Sequence, residues 1–198
     1  MASIALSQYL SMNPSIVQNK RILELGSGVG LLGITISKLG AAHVTMSEYG
    51  SEEGVVDGPI IKSYNRDDKR LIPSALLTNL QFNANLNHQQ ENISIQLIDW
   101  YDYLSEEKIS LPCSITYDLI VGSDLINWED DIEALIATLQ YYMKSQETKV
   151  LLSSQIQNRK GLPLFLKRLQ EIFPKVETEE FYVQHYETHP ILLIKISL

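Results

Sequence analysis

The sequence predicts an α/β protein, a mostly parallel seven-stranded sheet with helices on both faces and an antiparallel hairpin at its C-terminal end. Three observations predict it. From "QNKRILELG" onward, short apolar runs alternate with helix-period segments. The first apolar run ends in a glycine-rich turn, "LGSGVG", that leads into a helical pattern. The last two apolar runs, "KVETEEFYV" and "PILLIKISL", lie too close together for a crossover helix, so they must pair as a hairpin.

Strands are expected at 21–26, 43–48, 93–98, 117–122, 148–154, 176–183 and 190–197. Residues 129–144 place Ile132, Leu135, Ile136, Leu139 and Met143 on one face at helical spacing. Residues 161–173 do the same with Leu162, Phe165, Leu166, Leu169 and Phe173. Pro73 suits the first turn of a helix carrying Leu76, Leu77, Leu80 and Ala84. Residues 49–72 break the rhythm with three glycines, one proline and mixed charge. That length without periodicity marks an insertion, either a surface loop or a functional flap. The 198 residues are expected to form one domain, 1–198, around a substantial core.

Composition narrows the function. A chain that is 44% hydrophobic and 20% charged is globular in type. Its net charge of −8 argues against nonspecific binding to nucleic acid or to an anionic membrane, but permits a basic protein segment as substrate. Cys113 is the only cysteine, and His43, His88, His185 and His189 lack metal-ligand spacing, so no metal site is expected. "MASIALSQYL" has no basic n-region and too short an apolar run for a signal peptide. A soluble, cytoplasmic monomer is the expectation.

Two registers compete for the glycine turn. Gly28-x-Gly30-x-x-Gly33 spells a dinucleotide fingerprint and would suit a nicotinamide-dependent oxidoreductase. A fingerprint, however, needs its first glycine directly after the strand, and that residue is Gly26. The register that respects the strand is Glu24-x-Gly26-x-Gly28-x-Gly30. Glu24 opposes a pyrophosphate but complements the ammonium and sulfonium of S-adenosyl-L-methionine. Glu48, ending the second strand, suits two ribose hydroxyls of either cofactor. In "LIDW", Asp99 suits an adenine amino group and Trp100 either an aromatic wall or ordinary packing.

"RILELGSGVGLLGI", "LLTNLQFNANLN", "LIDW" and "YDLIVGSDLI", in this order, resemble the seven-β-strand lysine methyltransferases of methyltransferase family 16. "LSQYLSMNPSIVQNKRILELGSGVGLLGI" and "HYETHPILLIKISL" look closest to its elongation factor 2 branch. The resemblance implies a Rossmann-like fold and S-adenosyl-L-methionine-dependent methylation of a protein lysine, with a translation factor or chaperone as substrate. It places Glu24, Gly26, Ser27, Gly28 and Gly30 at the methionine end of the cofactor. Glu48 goes to the ribose, and Asp99, Trp100 and Ser123 complete the cofactor side. Asn79 and Asn83 are expected to tie loops to their helix.

The family's acceptor motif, aspartate followed three residues later by tyrosine or phenylalanine, departs here. Asp124 matches, but Asn127 stands at the aromatic position and Trp128 follows it. Asp124, Asn127 and Trp128 are therefore the candidate catalytic residues, with three readings open. Trp128 swings into the aromatic role, Asn127 binds a different acceptor, or the chain is a noncatalytic cofactor- or protein-binding module. Asp124 also suits the N-cap of the helix beginning at "EDDIEAL". Arg159, after the fifth strand, matches a position that in the family faces substrate.

Overall fold

In the computed structural model the described residues are 1–49, 75–89, 91–105, 115–126, 128–143, 145–157, 159–183 and 190–198. Pro73, Cys113, Asn127, His185, His189 and all but Tyr49 of the 49–72 insertion lie outside them. The elements follow the expected order. They are α1 (Ala2–Met12), β1 (Arg21–Leu25), α2 (Leu31–Lys38), β2 (His43–Glu48), α3 (Ala75–Leu86) and β3 (Ile93–Leu97), then β4 (Leu119–Ser123), α4 (Ile132–Tyr142), β5 (Lys149–Gln155), α5 (Leu162–Ile172), β6 (Lys175–Phe181) and β7 (Ile191–Ser197). Every expected strand forms, with ends within two residues of those expected. Helix α1 precedes the first expected strand and buries Ala2, Ala5, Leu6 and Leu10.

The strands form one sheet in the order β3-β2-β1-β4-β5-β7-β6. Strands β1 to β5 are parallel. Strand β7 runs antiparallel between β5 and β6, so the C-terminal hairpin joins the sheet edge through its second strand and leaves β6 outermost. The chain builds outward from β1 to β3, then returns to lay β4 on the other side of β1. That reversal opens a crevice at the carboxyl ends of β1 and β4, where open α/β sheets take their ligands.

Strand alternation divides the core into two layers. Leu23, Leu25, Ile120, Val150, Leu152, Ile194 and Ile196 point to one face, where α4 and α5 cover them with Leu135, Leu139, Phe165 and Leu169. Ile22, Val44, Met46, Leu119, Val121, Leu151 and Leu193 point to the other, under Leu6 and Leu10 of α1, Leu32 and Ile36 of α2, and Leu80 and Ala84 of α3. Glu24, between Leu23 and Leu25, faces this second layer by the same alternation.

Helix α4 buries more than the single stripe expected of it. Tyr141 and Tyr142 are buried beside Tyr103 of the short 3-10 turn Trp100–Leu104. The Tyr103 and Tyr142 hydroxyls are 2.7 Å apart, and the two rings pack at 5.6 Å. This contact fixes the segment after β3 against the C-terminal end of the helix after β4, beside Tyr117, which precedes β4. Leu139, fully buried in the same layer, is a measure of its packing. Truncation of Leu139 to alanine is expected to cost about 2–5 kcal/mol, read as a lower denaturant midpoint at unchanged slope.

Candidate functional site

The glycine turn begins at Gly26, directly after β1, which settles the register in favour of Glu24-x-Gly26-x-Gly28-x-Gly30. Gly26, Gly28 and Gly30 have φ of 62°, 54° and 88°, the left-handed region that favours glycine. Gly33, the third letter of the competing dinucleotide pattern, sits inside α2. A Cβ there would lie 2.5 Å from Glu24 Oε2 and collide with the Met46 side chain. It serves the packing of α2 over Glu24.

Backbone hydrogen bonds shape the turn. Ser27 N–H donates to Ser47 O and Gly30 N–H to Ser27 O, both at 2.8 Å. Gly28 N–H donates to Glu48 Oε2 at 2.7 Å. The other Glu48 oxygen accepts from Tyr49 N–H at 3.0 Å. Asn83 of α3 donates from Nδ2 to Val29 O at 2.8 Å, which ties that helix to the turn as expected. Asn79 is exposed.

Glu24 lies beneath this turn with 1% of its surface exposed. Its Oε2 has no hydrogen-bond partner among the described residues, and neither does the buried hydroxyl of Ser27. Desolvation dominates its titration and pushes the carboxyl up to about 8 from the ordinary 4.5. The nearby Ser27 hydroxyl and Gly33 N–H offset this only in part, and the Glu48 charge adds to it. At neutral pH the unliganded site therefore holds a neutral carboxylic acid. A cation placed against it would convert it to a carboxylate.

The remaining residues of the site come from the ends of β3, β4 and β5. Asp99 accepts from Tyr101 N–H at 3.0 Å and starts the 3-10 turn. Trp100 is half-buried against the core, and its ring approaches Gly26. Ser123, half-buried, ends β4 opposite Ser153 of β5. Asp124 follows with φ 53°, a left-handed conformation that aspartate tolerates better than most residues. Its carboxylate accepts from Gln155 N–H at 2.9 Å and from Gln155 Nε2 at 2.8 Å, and Arg159 Nη2 stands 3.2 Å away.

The helix-cap alternative for Asp124 is thereby corrected. A 3-10 turn, Glu129–Asp131, precedes α4, whose N-cap residue is Asp131, and Asp124 is committed to the β5 end instead. Trp128 is 71% exposed, so its ring is not drawn into the crevice. Gln155 was not among the expected site residues. The one signal for it was its position at the carboxyl end of a ligand-facing strand. Among the described residues no group of three or more acidic, histidine or cysteine side chains is placed to hold a metal. No described helix is long and apolar enough to cross a membrane.

Fold and crevice together define a Rossmann-like methyltransferase. The chain belongs to the lysine methyltransferase family, methyltransferase family 16, whose model matches residues 1–172. The methyl donor of that family is S-adenosyl-L-methionine. The chain is 30% identical over 147 residues to a protein N-terminal and lysine N-methyltransferase, EFM7, of Cryptococcus neoformans. That match covers 73% of this chain and 42% of the relative, so the chain spans less than half of that protein. It is 27% identical to EEF1A lysine methyltransferase 3 of Xenopus tropicalis, over 99% of this chain and 72% of the relative. An O-methyltransferase of Bacillus cereus, solved in complex with SAH, has the same fold with a TM-score of 0.61 at 9% identity, covering 99% of this chain and 80% of that one.

The titration of Glu24 contributes a pH dependence to the stability of the unliganded fold. The unfolded chain loses this proton near 4.5 and the folded chain near 8. Between those values the folded state holds more protons, so stability falls as pH rises and levels off above 8. Glu24→Gln, which mimics the protonated form, is expected to match the wild-type melting temperature near pH 5 and exceed it at pH 9. Differential scanning calorimetry at the two pH values checks this.

Proposed function

We propose that the chain binds S-adenosyl-L-methionine in the β1/β4 crevice and methylates a lysine side chain of a protein. The buried, unpartnered oxygen of Glu24 carries this reading. A buried carboxylate without a partner is unfavourable, and the ammonium end of the cofactor is the counter-charge that fits it. Gly26, Ser27, Gly28 and Gly30 hold the backbone close to that end. Glu48, already fixed by Gly28 N–H, retains lone pairs for ribose hydroxyls. Asp99 and Trp100 flank the adenine side, and Ser123 completes the wall.

The cofactor supplies a methyl group activated on a sulfonium. The remaining requirement is an acceptor lone pair held in line with it, so positioning carries much of the acceleration. A lysine amine with an ordinary pKa of ~10.4 has to arrive or become neutral. Desolvation in the crevice favours the neutral form. Asp124, at the mouth formed by the β4 and β5 ends, accepts an N–H of that amine and aims its lone pair.

A protein substrate is supported by the family and by the names of its relatives, one of which acts on EEF1A. We extend that to a translation factor as substrate class. The net charge of −8 favours a basic segment around the lysine and disfavours nucleic acid as partner. We read the chain as one domain, 1–198, acting as a cytoplasmic monomer, with 49–72 as an insertion in it.

A second reading, a cofactor-binding module without transferase activity, draws on the 71% exposure of Trp128, which leaves no aromatic wall from that residue. Two measurements separate the readings. Calorimetry is expected to show S-adenosyl-L-methionine binding to the wild type and weaker binding to Glu24→Gln; absence of binding at millimolar concentration contradicts both readings. With labelled cofactor and an extract lacking the endogenous protein, the wild type is expected to label a protein band. Asp124→Ala should reduce that labelling by roughly a hundredfold or more, with cofactor binding retained.

A further inference from the structure

Asp124 is held more tightly than an acceptor carboxylate on a loop would be. Gln155, the last residue of β5, reaches both of its oxygens, with its backbone N–H on Oδ1 at 2.9 Å and its side-chain amide on Oδ2 at 2.8 Å. Asp124 N–H donates in return to Ser153 O at 2.8 Å. Two donors from one residue, one on each oxygen, fix the plane of the carboxylate. Arg159 touches Oδ2 alone, at 3.2 Å, which balances charge but leaves rotation open. The turn at Asp124 also packs Leu125 against Gly122 and Gly26, so the same backbone shapes the floor of the glycine turn.

The consequence is a count of free acceptor positions. An ionised carboxylate offers about four lone-pair sites. Among the described residues, three donors already occupy Asp124. One direction remains for an incoming N–H. A neutral amine that donates one N–H there keeps its lone pair pointed elsewhere, which methyl transfer requires.

We propose that Gln155 is a positioning residue for methyl transfer, clamping both oxygens of Asp124 so that a single acceptor site faces the substrate amine. This rests on the reading of Asp124 as the acceptor-side carboxylate. Gln155 touches neither substrate nor cofactor in this role; it acts through Asp124. The neutral amide matters, because it donates without taking up the remaining charge.

The test uses the full chain and two substitutions. Gln155→Met keeps the backbone N–H and the side-chain length but removes the amide donor. It is expected to retain the wild-type melting temperature, bind S-adenosyl-L-methionine within about twofold of wild type, and keep the KM for cofactor. Its kcat for labelling the substrate protein should fall roughly tenfold or more, as expected for loss of a charge-assisted hydrogen bond. Gln155→Glu should be still slower at pH 8 and regain activity relative to wild type as pH is lowered toward 6, because a protonated carboxyl can donate where the amide did. A merely structural role would not produce that pH-dependent recovery. Wild-type kcat in Gln155→Met, or a deficit in Gln155→Glu that does not change with pH, overturns the proposal while leaving the methyltransferase reading intact. A wild-type chain that binds cofactor but labels no protein overturns both.

Discussion

The site is organised around one electrostatic problem, a glutamate side chain taken out of water with an oxygen left unpaired. A buried charge without a partner is disfavoured strongly enough that such groups usually neutralise themselves. Glu24 does so by holding its proton to about pH 8. The surroundings are built to keep it there. Gly33 gives α2 the clearance to close over it, and Ser47 Oγ donates to the Glu24 carbonyl at 2.7 Å, pinning its backbone. The left-handed glycines then carry the chain around it without adding side-chain atoms. A positive ligand group relieves the problem; the protein's own Ser27 and Gly33 do so only in part.

The sheet explains why the other functional groups gather there. Parallel strands bring all their carboxyl ends to one edge, and the reversal between β1 and β4 parts the helices at that edge. Glu24, Glu48, Asp99 and Asp124 thus come from four different strand ends. The last three are fixed by backbone donors or a neighbouring strand rather than by a flexible loop alone: Glu48 by Gly28 N–H, Asp99 by Tyr101 N–H, Asp124 by Gln155. Such prior fixing lowers the reorganisation needed when a substrate arrives. The cofactor side and the acceptor side share a wall, because Leu125 follows Asp124 and packs on Gly26.

Much of this is legible in the sequence, for reasons that differ by element. The strands are short apolar runs bounded by polar or glycine residues, and the glycine register follows from where β1 must end. The aromatic and acidic positions after β2, β3 and β4 could be placed because strand ends in this topology face one way. Long-range pairing could not. Nothing local says that Gln155, thirty-one residues after Asp124, will bind both its oxygens, nor that β7 will insert between β5 and β6. Helix α1 buries the stripe Ala2, Ala5, Leu6 and Leu10, but its exposed side carries Ile4 and Met12, so its apolar residues are not confined to one face. The exposure of Trp128 depends on the 3-10 turn that precedes α4, which is a tertiary outcome.

The measurement that bears most directly on Glu24 is the proton balance of cofactor binding. Calorimetric titration of the chain with S-adenosyl-L-methionine at pH 6.5, repeated in buffers of different ionisation enthalpy, counts protons exchanged per molecule bound. If the cationic end of the cofactor meets Glu24, close to one proton is released into the buffer, and the release disappears in Glu24→Gln. Binding with no net proton release, or with the same release from both proteins, would contradict the placement of the cofactor against this carboxylate.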